Sequence, residues 1–197
     1  LDNFNEIMEK IEWADSLVIG PGLGLEIDTI SLVAKLVNTI DKPIVLDADG
    51  LASFPSLKGS LDNLVITPHL GEFSKILNIK KEIILNDFIQ IVKFFLKDFA
   101  GVAIIKHVPT CVINGQKMSL NSTGNPGLAT AGSGDVLSGV VASFLAQKID
   151  GYNACRLSSY LHGLAADNQI KHKGMRGLIA SDLPLEIAKV INEHEKL

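Results

Sequence analysis

Ser16-Leu17-Val18-Ile19-Gly20-Pro21-Gly22-Leu23-Gly24 passes from a short apolar run straight into a turn rich in glycine. The run reads as a buried strand. Immediately beyond the turn, Ile27, Ile30, Leu32, Val33, Leu36, Val37 and Ile40 recur at mostly three- and four-residue intervals, which predicts an amphipathic helix. The unit repeats: Pro43–Asp47 and Leu61–Ile66 read as strands, Gly71–Leu77 and Asn86–Phe99 as helices, and Val102–Lys106 as a fourth strand. Thr110–Ile113 and Gln116–Leu120 then predict a hairpin, with Asn114-Gly115 supplying the positive φ angles of a type I′ turn. Helices are expected at Val136–Lys148, Tyr152–Ile170 and Leu183–Glu193. Ser181 or Asp182 would cap the last, with Pro184 in its first turn. Strands alternating with helices argue for a mostly parallel α/β sheet covered on both faces, with ligands at the carboxyl ends of the strands.

Composition narrows the class. The chain has 197 residues, 47% of them hydrophobic and 20% charged, enough for one domain with its own core. Eighteen Lys and Arg against 22 Asp and Glu give a net charge of −4, with no basic footprint for nucleic acid or an anionic membrane. No apolar stretch reaches a membrane-spanning length, and the start lacks the pattern of a signal peptide, so a cytoplasmic protein is expected. Cys111 and Cys155 carry no metal or redox spacing and read as reduced, partly buried thiols.

Four strand-end turns carry the chemistry. In the first, Gly22 and Gly24 let backbone N–H groups approach an anion, although Leu25 stands where a dinucleotide fingerprint needs glycine and a purely structural turn is the rival reading. In the second, Asp47 and Asp49 are placed to hold hydroxyl groups or, through water, magnesium; the plainer reading is a helix cap. In the third, Pro68 displays His69 above the sheet edge as a ligand contact. The fourth, Asn121–Asp135, is dominated by small residues and runs into a long helix. Ala131, Gly132, Ser133 and Gly134 would aim successive N–H groups at one spot as an anion hole, and Asp135 in the first helical turn would accept a proton from an attacking hydroxyl. A P-loop is excluded because G-x-x-x-x-G-K-[ST] is missing. His162, His172 and His194 read as a hydrogen-bonded helix histidine and two solvated ones.

Taken together, Gly20-Pro-Gly-Leu-Gly24, Asp47-Ala-Asp-Gly50, Thr67-Pro-His-Leu-Gly-Glu72 and Thr123-Gly-Asn-Pro-Gly-Leu-Ala-Thr-Ala-Gly-Ser-Gly-Asp135 resemble the ADP/ATP-dependent NAD(P)H-hydrate dehydratases. These are metabolite-repair enzymes with a ribokinase-like fold, a three-layer α/β sandwich. The Thr-Gly-Asn-Pro-Gly stretch separates them from sugar and vitamin kinases. The resemblance implies that Gly22, Gly24, His69 and Asp135 contact the hydrated nicotinamide nucleotide. It implies that Lys106, His107, Val108, Pro109, Thr110 and Gly134 line the ADP site, that Asn125 helps hold magnesium or phosphate, and that Asp135 is the base. It further implies Mg²⁺, ADP or ATP as co-substrate, and a homotetramer. One departure is His107, where the family usually carries Gly or Ser after the lysine; its bulk would alter the fit of the nucleotide phosphates. The alternatives are a vitamin-precursor kinase on the same fold, or an inactive nucleotide-binding module. Because the matching segment starts near Trp13 and Leu1 stands where Met begins a translation product, residues 1–197 are expected to be one domain that lacks its N-terminal portion.

Overall fold

The computed structural model describes residues 4–115 and 117–195. Its centre is a six-stranded sheet in the order β1 (Leu17–Ile19), β2 (Ile44–Leu46), β3 (Leu64–Ile66), β4 (Val102–Ile105), β5 (Cys111–Asn114) and β6 (Lys117–Leu120). The first four strands are parallel, and the β5–β6 hairpin adds on antiparallel to β4.

Side-chain alternation divides the core. From β2, β4 and β5, Ile44, Leu46, Ala103, Ile105, Cys111 and Ile113 enter one apolar layer, while Val45, Val102, Ile104 and Val112 enter the opposite one. On the first face lie the crossover elements: α2 (Ile27–Thr39), a 3-10 stretch (Ala48–Ser56), α3 (Leu70–Leu77), α4 (Lys81–Asn86) and α5 (Phe88–Phe95). A preceding helix, α1 (Phe4–Ile11), adds Ile11 to the same layer. Crossovers between parallel neighbours share one hand, so sequential β1-β2-β3-β4 order puts these connections on the same side. The other face is covered by the helices C-terminal to the hairpin: α6 (Ser133–Ala146) and α7 (Gly151–Lys173), backed by α8 (Leu183–His194).

Four local expectations are corrected. The predicted Asn86–Phe99 helix is shortened at both ends: Asn86 closes α4, Asp87 breaks the helix with φ −135° and ψ 42°, and α5 runs from Phe88 to Phe95, where Leu96 ends it. In the hairpin, Asn114 pairs with Lys117, so the two-residue connection starts at Gly115 (φ +53°) rather than at Asn114; its second residue, Gln116, lies outside the described residues. Asn114 stays in the strand because its Nδ2 donates to the carbonyls of Ala100 and Gly101. Asp182 occupies the N-cap position of α8 but turns its carboxylate back to accept from the Ile179 N–H. Both cysteines are fully buried rather than partly so, and burial pushes the Cys111 thiol up to about 11 and that of Cys155 higher still. No helix among the described residues is long and apolar enough to cross a membrane.

Candidate active site

The carboxyl ends of the parallel strands converge on the start of α6. Gly132 occupies the N-cap with φ +84°, an αL geometry that suits glycine, and α6 begins at Ser133. Ser133 is pinned on both sides: its hydroxyl donates to the Leu128 carbonyl at 2.6 Å, and its own carbonyl accepts from His162 Nε2 at 2.9 Å. Its N–H turns back toward the Thr130 carbonyl, whereas the N–H groups of Gly132, Gly134 and Asp135 meet no acceptor among the described residues. Of the four N–H groups expected to face an anion, that of Ser133 is thus taken, while those of Ala131, Gly132 and Gly134, together with that of Asp135, have no acceptor among the described residues.

A cation stands beside Gly134. A Cβ on Gly134 would lie 3.4 Å from Lys106 Nζ and 3.7 Å from Asp47 Oδ2, which fixes how closely the helix start approaches the ends of β2 and β4. Lys106 Nζ donates to Asp47 Oδ1 at 2.8 Å, and Ser138 Oγ, one turn beyond Gly134, donates to Asp47 Oδ2 at 2.7 Å. Burial pushes the Asp47 carboxyl up. The Lys106 ammonium and hydrogen bonds from Lys106, Thr67 and Ser138 outweigh that and hold it below the ordinary carboxylate range. Asp47 thus neither caps the 3-10 stretch nor meets solvent. Asp49 reaches sideways, its Oδ2 accepting the Gly24 N–H at 2.9 Å, and so ties the first glycine turn to the second strand end. Asp135 differs from both: it is exposed, and its carboxylate has no hydrogen-bond partner among the described residues.

Beside Lys106 opens a cleft of about 550 Å³. Lys106–Thr110 form one wall, Asn121–Pro126 another, and Ser133, Gly134 and His162 the floor near the start of α6. The departure at His107 falls in this wall, its ring 6.4 Å from that of Phe88. The second wall is held by α7. Gly124 N–H and Asn125 Nδ2 both donate to Asp167, each at 2.8 Å, Asn125 Oδ1 accepts from the Gly127 N–H, and Thr123 Oγ1 donates to the Tyr160 carbonyl. Gly163 makes this seat possible, since a Cβ there would lie 2.3 Å from Thr123 Oγ1. Asn125 therefore directs both polar atoms of its amide into its own loop and α7.

The substrate-side candidates divide by role. Gly22 and Gly24 adopt φ +70° and +81° with open space where a side chain would stand, whereas Gly20 is wedged against Asp47. His69 sits at the N-cap of α3, exposed, its Nδ1 accepting the Glu72 N–H at 3.0 Å while Glu72 Oε2 accepts the His69 N–H at 2.7 Å. Only the Nε2 edge of the ring is left for a ligand, with Glu72 Oε1 3.4 Å away.

Comparison with known proteins places the chain. A family model described as NAD(P)H-hydrate dehydratase matches residues 1–189. The chain belongs to the NAD(P)H-hydrate dehydratase family. It is 36% identical over 188 residues to the bifunctional NAD(P)H-hydrate repair enzyme Nnr of Moorella thermoacetica, covering 92% of this chain and 35% of that protein. The ADP/ATP-dependent NAD(P)H-hydrate dehydratase of Bacillus subtilis, co-crystallised with ATP and Mg²⁺, superposes with a TM-score of 0.81 at 27% identity, over 92% of this chain and 66% of that one. A ribokinase-like superfamily protein of Enterococcus faecalis superposes at 0.77 with 25% identity, over 94% of this chain and 68% of that one. The fold of this family member is thus ribokinase-like, and the chain spans about a third of the length of the curated relative it matches.

Sequence reading passed over Ser138, Gly163 and Asp167, and gave His162 no place in the site. Burial pushes the His162 imidazole down to about 4; its hydrogen bond to Ser133 works upward and the nearby Lys106 downward. An unfolded histidine titrates near ~6.5, so the folded chain resists a proton that the unfolded chain accepts. The stability this contributes is complete above that pH and lost as pH falls toward 4, by up to about 3 kcal/mol. Urea-unfolding midpoints followed from neutral pH to pH 4.5 should drop less steeply in His162→Gln than in the parent. Parallel curves would assign the loss to other groups.

Proposed function

We propose that this chain performs the nucleotide-driven dehydration of hydrated NADH or NADPH, with ADP in preference to ATP as phosphoryl donor. The observation that carries this reading is the meeting of three things at one helix start: unpaired N–H donors on α6, the Lys106 ammonium, and the free carboxylate of Asp135. The Bacillus relative is an ADP/ATP-dependent NAD(P)H-hydrate dehydratase, and such a site suits that reaction.

The chemistry follows from the residues. The ring hydroxyl of the hydrate is a poor leaving group and its oxygen a weak nucleophile. Asp135 takes its proton as the oxygen attacks the terminal phosphorus of the donor. Negative charge spreads over the transferring phosphoryl oxygens, and on this reading the N–H groups of Gly132, Gly134 and Asp135 and the Lys106 ammonium stabilise it. AMP departs when ADP is the donor. The phosphorylated hydroxyl then leaves as phosphate, expelled by the ring nitrogen's lone pair, and loss of a proton from the neighbouring carbon restores the dihydropyridine. On this reading Gly22, Gly24 and the Nε2 edge of His69 contact the hydrate, and Lys106–Thr110 with Asn121–Asn125, which line the cleft, hold the nucleotide.

Magnesium fits as an ion carried by the nucleotide. Among the described residues no three His, Cys, Asp or Glu side chains form a cage, and Mg²⁺ ordinarily binds through substrate phosphates, waters and one or two carboxylates. When bound it would neutralise donor phosphates, with the exposed carboxylate of Asp135, in the first turn of α6, free to meet its waters. The reading extends to a cytoplasmic homo-oligomer that works without nucleic acid or a membrane.

The test mixes the protein, Mg²⁺ and hydrated NADH with and without ADP. Reduced-nicotinamide absorbance should rise only when the nucleotide is present. A stable phosphorylated alcohol would instead identify a kinase, and tight nucleotide binding without turnover of either hydrate a binding module.

A further inference from the structure

Asp47 and Lys106 form a charge pair with an unusual setting. The Asp47 side chain is 1% exposed, and that of Lys106, at 24%, looks into the nucleotide cleft. Both start from backbone that is itself fixed. The Asp47 N–H donates to the Ile19 carbonyl, its carbonyl accepts the Gly50 N–H, and the Lys106 N–H donates to Pro68 at 2.8 Å. Both Asp47 oxygens are engaged, one by Lys106 and one by Ser138, and Thr67 Oγ1 lies 3.4 Å from the Ser138 hydroxyl. A carboxylate held this way neither swings into the cleft nor reaches a ligand. It touches the site only through the ammonium it holds.

We propose that Asp47 is a positioning residue for phosphoryl transfer, anchoring the Lys106 ammonium beside the Gly134 end of α6 so that it meets the phosphoryl group in flight rather than the resting nucleotide. The proposal rests on the nucleotide-driven reading above. A lysine on a four-carbon stem, left free, settles wherever ground-state phosphate charge is densest. That strengthens binding of donor and transition state alike and does nothing for the rate. Tethering the ammonium from behind reserves its charge for the geometry of transfer. The buried carboxylate also opposes the approach of an anion, so its removal should not weaken nucleotide binding.

Three proteins and their double variant test this: the parent, Asp47→Asn, Lys106→Met, and both together, each checked for folding by far-ultraviolet circular dichroism. In Asp47→Asn we expect kcat to fall about 10- to 100-fold with the KM for ADP unchanged or lower. ADP affinity from calorimetry should change little in Lys106→Met, where kcat falls instead, hold or tighten in Asp47→Asn, and in the double variant equal that of Lys106→Met. A kcat within twofold of the parent, or an ADP affinity that Asp47→Asn lowers even when Lys106 is already gone, would overturn the proposal. Should Asp47→Asn fail to fold, Ser138→Ala strips one of the carboxylate's hydrogen-bond partners: a severalfold lower kcat at unchanged ADP affinity supports the role, and an unchanged kcat refutes it. A parent that binds ADP but converts no hydrate fails the dehydratase reading alone, and the affinity cycle still decides whether Asp47 acts through Lys106.

Discussion

Asp135→Asn keeps its fold and its nucleotide and loses turnover by about 10²-fold or more, the scale on which a positioned general base contributes. Three acidic side chains stand at these strand ends, and hydrogen bonding separates them. Asp47 has both oxygens committed inside the protein, and Asp49 holds the Gly24 N–H. Asp135 is exposed, with no partner among the described residues, in the first turn of α6, whose Ser133 and Gly134 line the cleft. It is the one of the three free to take a proton from a bound hydroxyl. The substitution is isosteric and removes only a favourable charge at a helix start, so its effect on stability should stay near about 0.5 kcal/mol. Steady-state kinetics on the hydrate, read beside a thermal-unfolding midpoint, separates the two effects. Near-normal turnover would remove Asp135 from the role.

A second large effect is structural. Gly20→Ala should destabilise the chain by about 3 kcal/mol or more, the sum of backbone strain and overpacking. Gly20 adopts φ +132°, which L side chains avoid, and a Cβ there would stand 1.8 Å from the Asp47 carbonyl oxygen and 2.8 Å from Gly50 N. The obstacle is backbone on the neighbouring strand end and is not free to rotate away. Gly50 returns the constraint, because a Cβ on it would approach the Ile19 carbonyl at 2.8 Å. These two glycines let the ends of β1 and β2 touch, and with them the segment that carries Asp47. Gly22→Ala is the control: it shares a positive φ but has open space, and should cost only about 1 kcal/mol. Urea unfolding of the two variants gives the comparison, and equal midpoints would contradict the wedge.

The first β-α unit, Ser16 to Ile40, was legible because its apolar period changes from a continuous run to three-and-four spacing across a glycine turn. Each later strand repeated that pattern, and the alternation of Ile44, Val45 and Leu46 between the two faces follows from strand geometry. The hairpin turn was misplaced because Asn-Gly favours the turn locally, while two carbonyls at Ala100 and Gly101 hold Asn114 in the strand, a long-range contact that local preference does not contain. The same reason hid the supports of the site. Asp47 looked like a cap or a ligand because its partners, Lys106 and Ser138, lie 59 and 91 residues away. Asp167 left a fainter trace: Tyr160, Gly163 and Asp167 follow helical spacing along α7, and a glycine in the middle of such a row marks a backbone resting on it. What was legible at the site was its glycine-rich start of α6, since small residues leading into a helix expose donors whatever surrounds them.

Whether phosphoryl transfer drives the dehydration is decided by the stoichiometry of one reaction: protein, Mg²⁺, ADP and hydrated NADH, with AMP, phosphate and NADH quantified together by chromatography. The three products should appear in equal amounts and stop together when either reactant is exhausted. NADH formed without consumption of ADP, or AMP accumulating with a stable phosphorylated product and no NADH, would contradict the coupling.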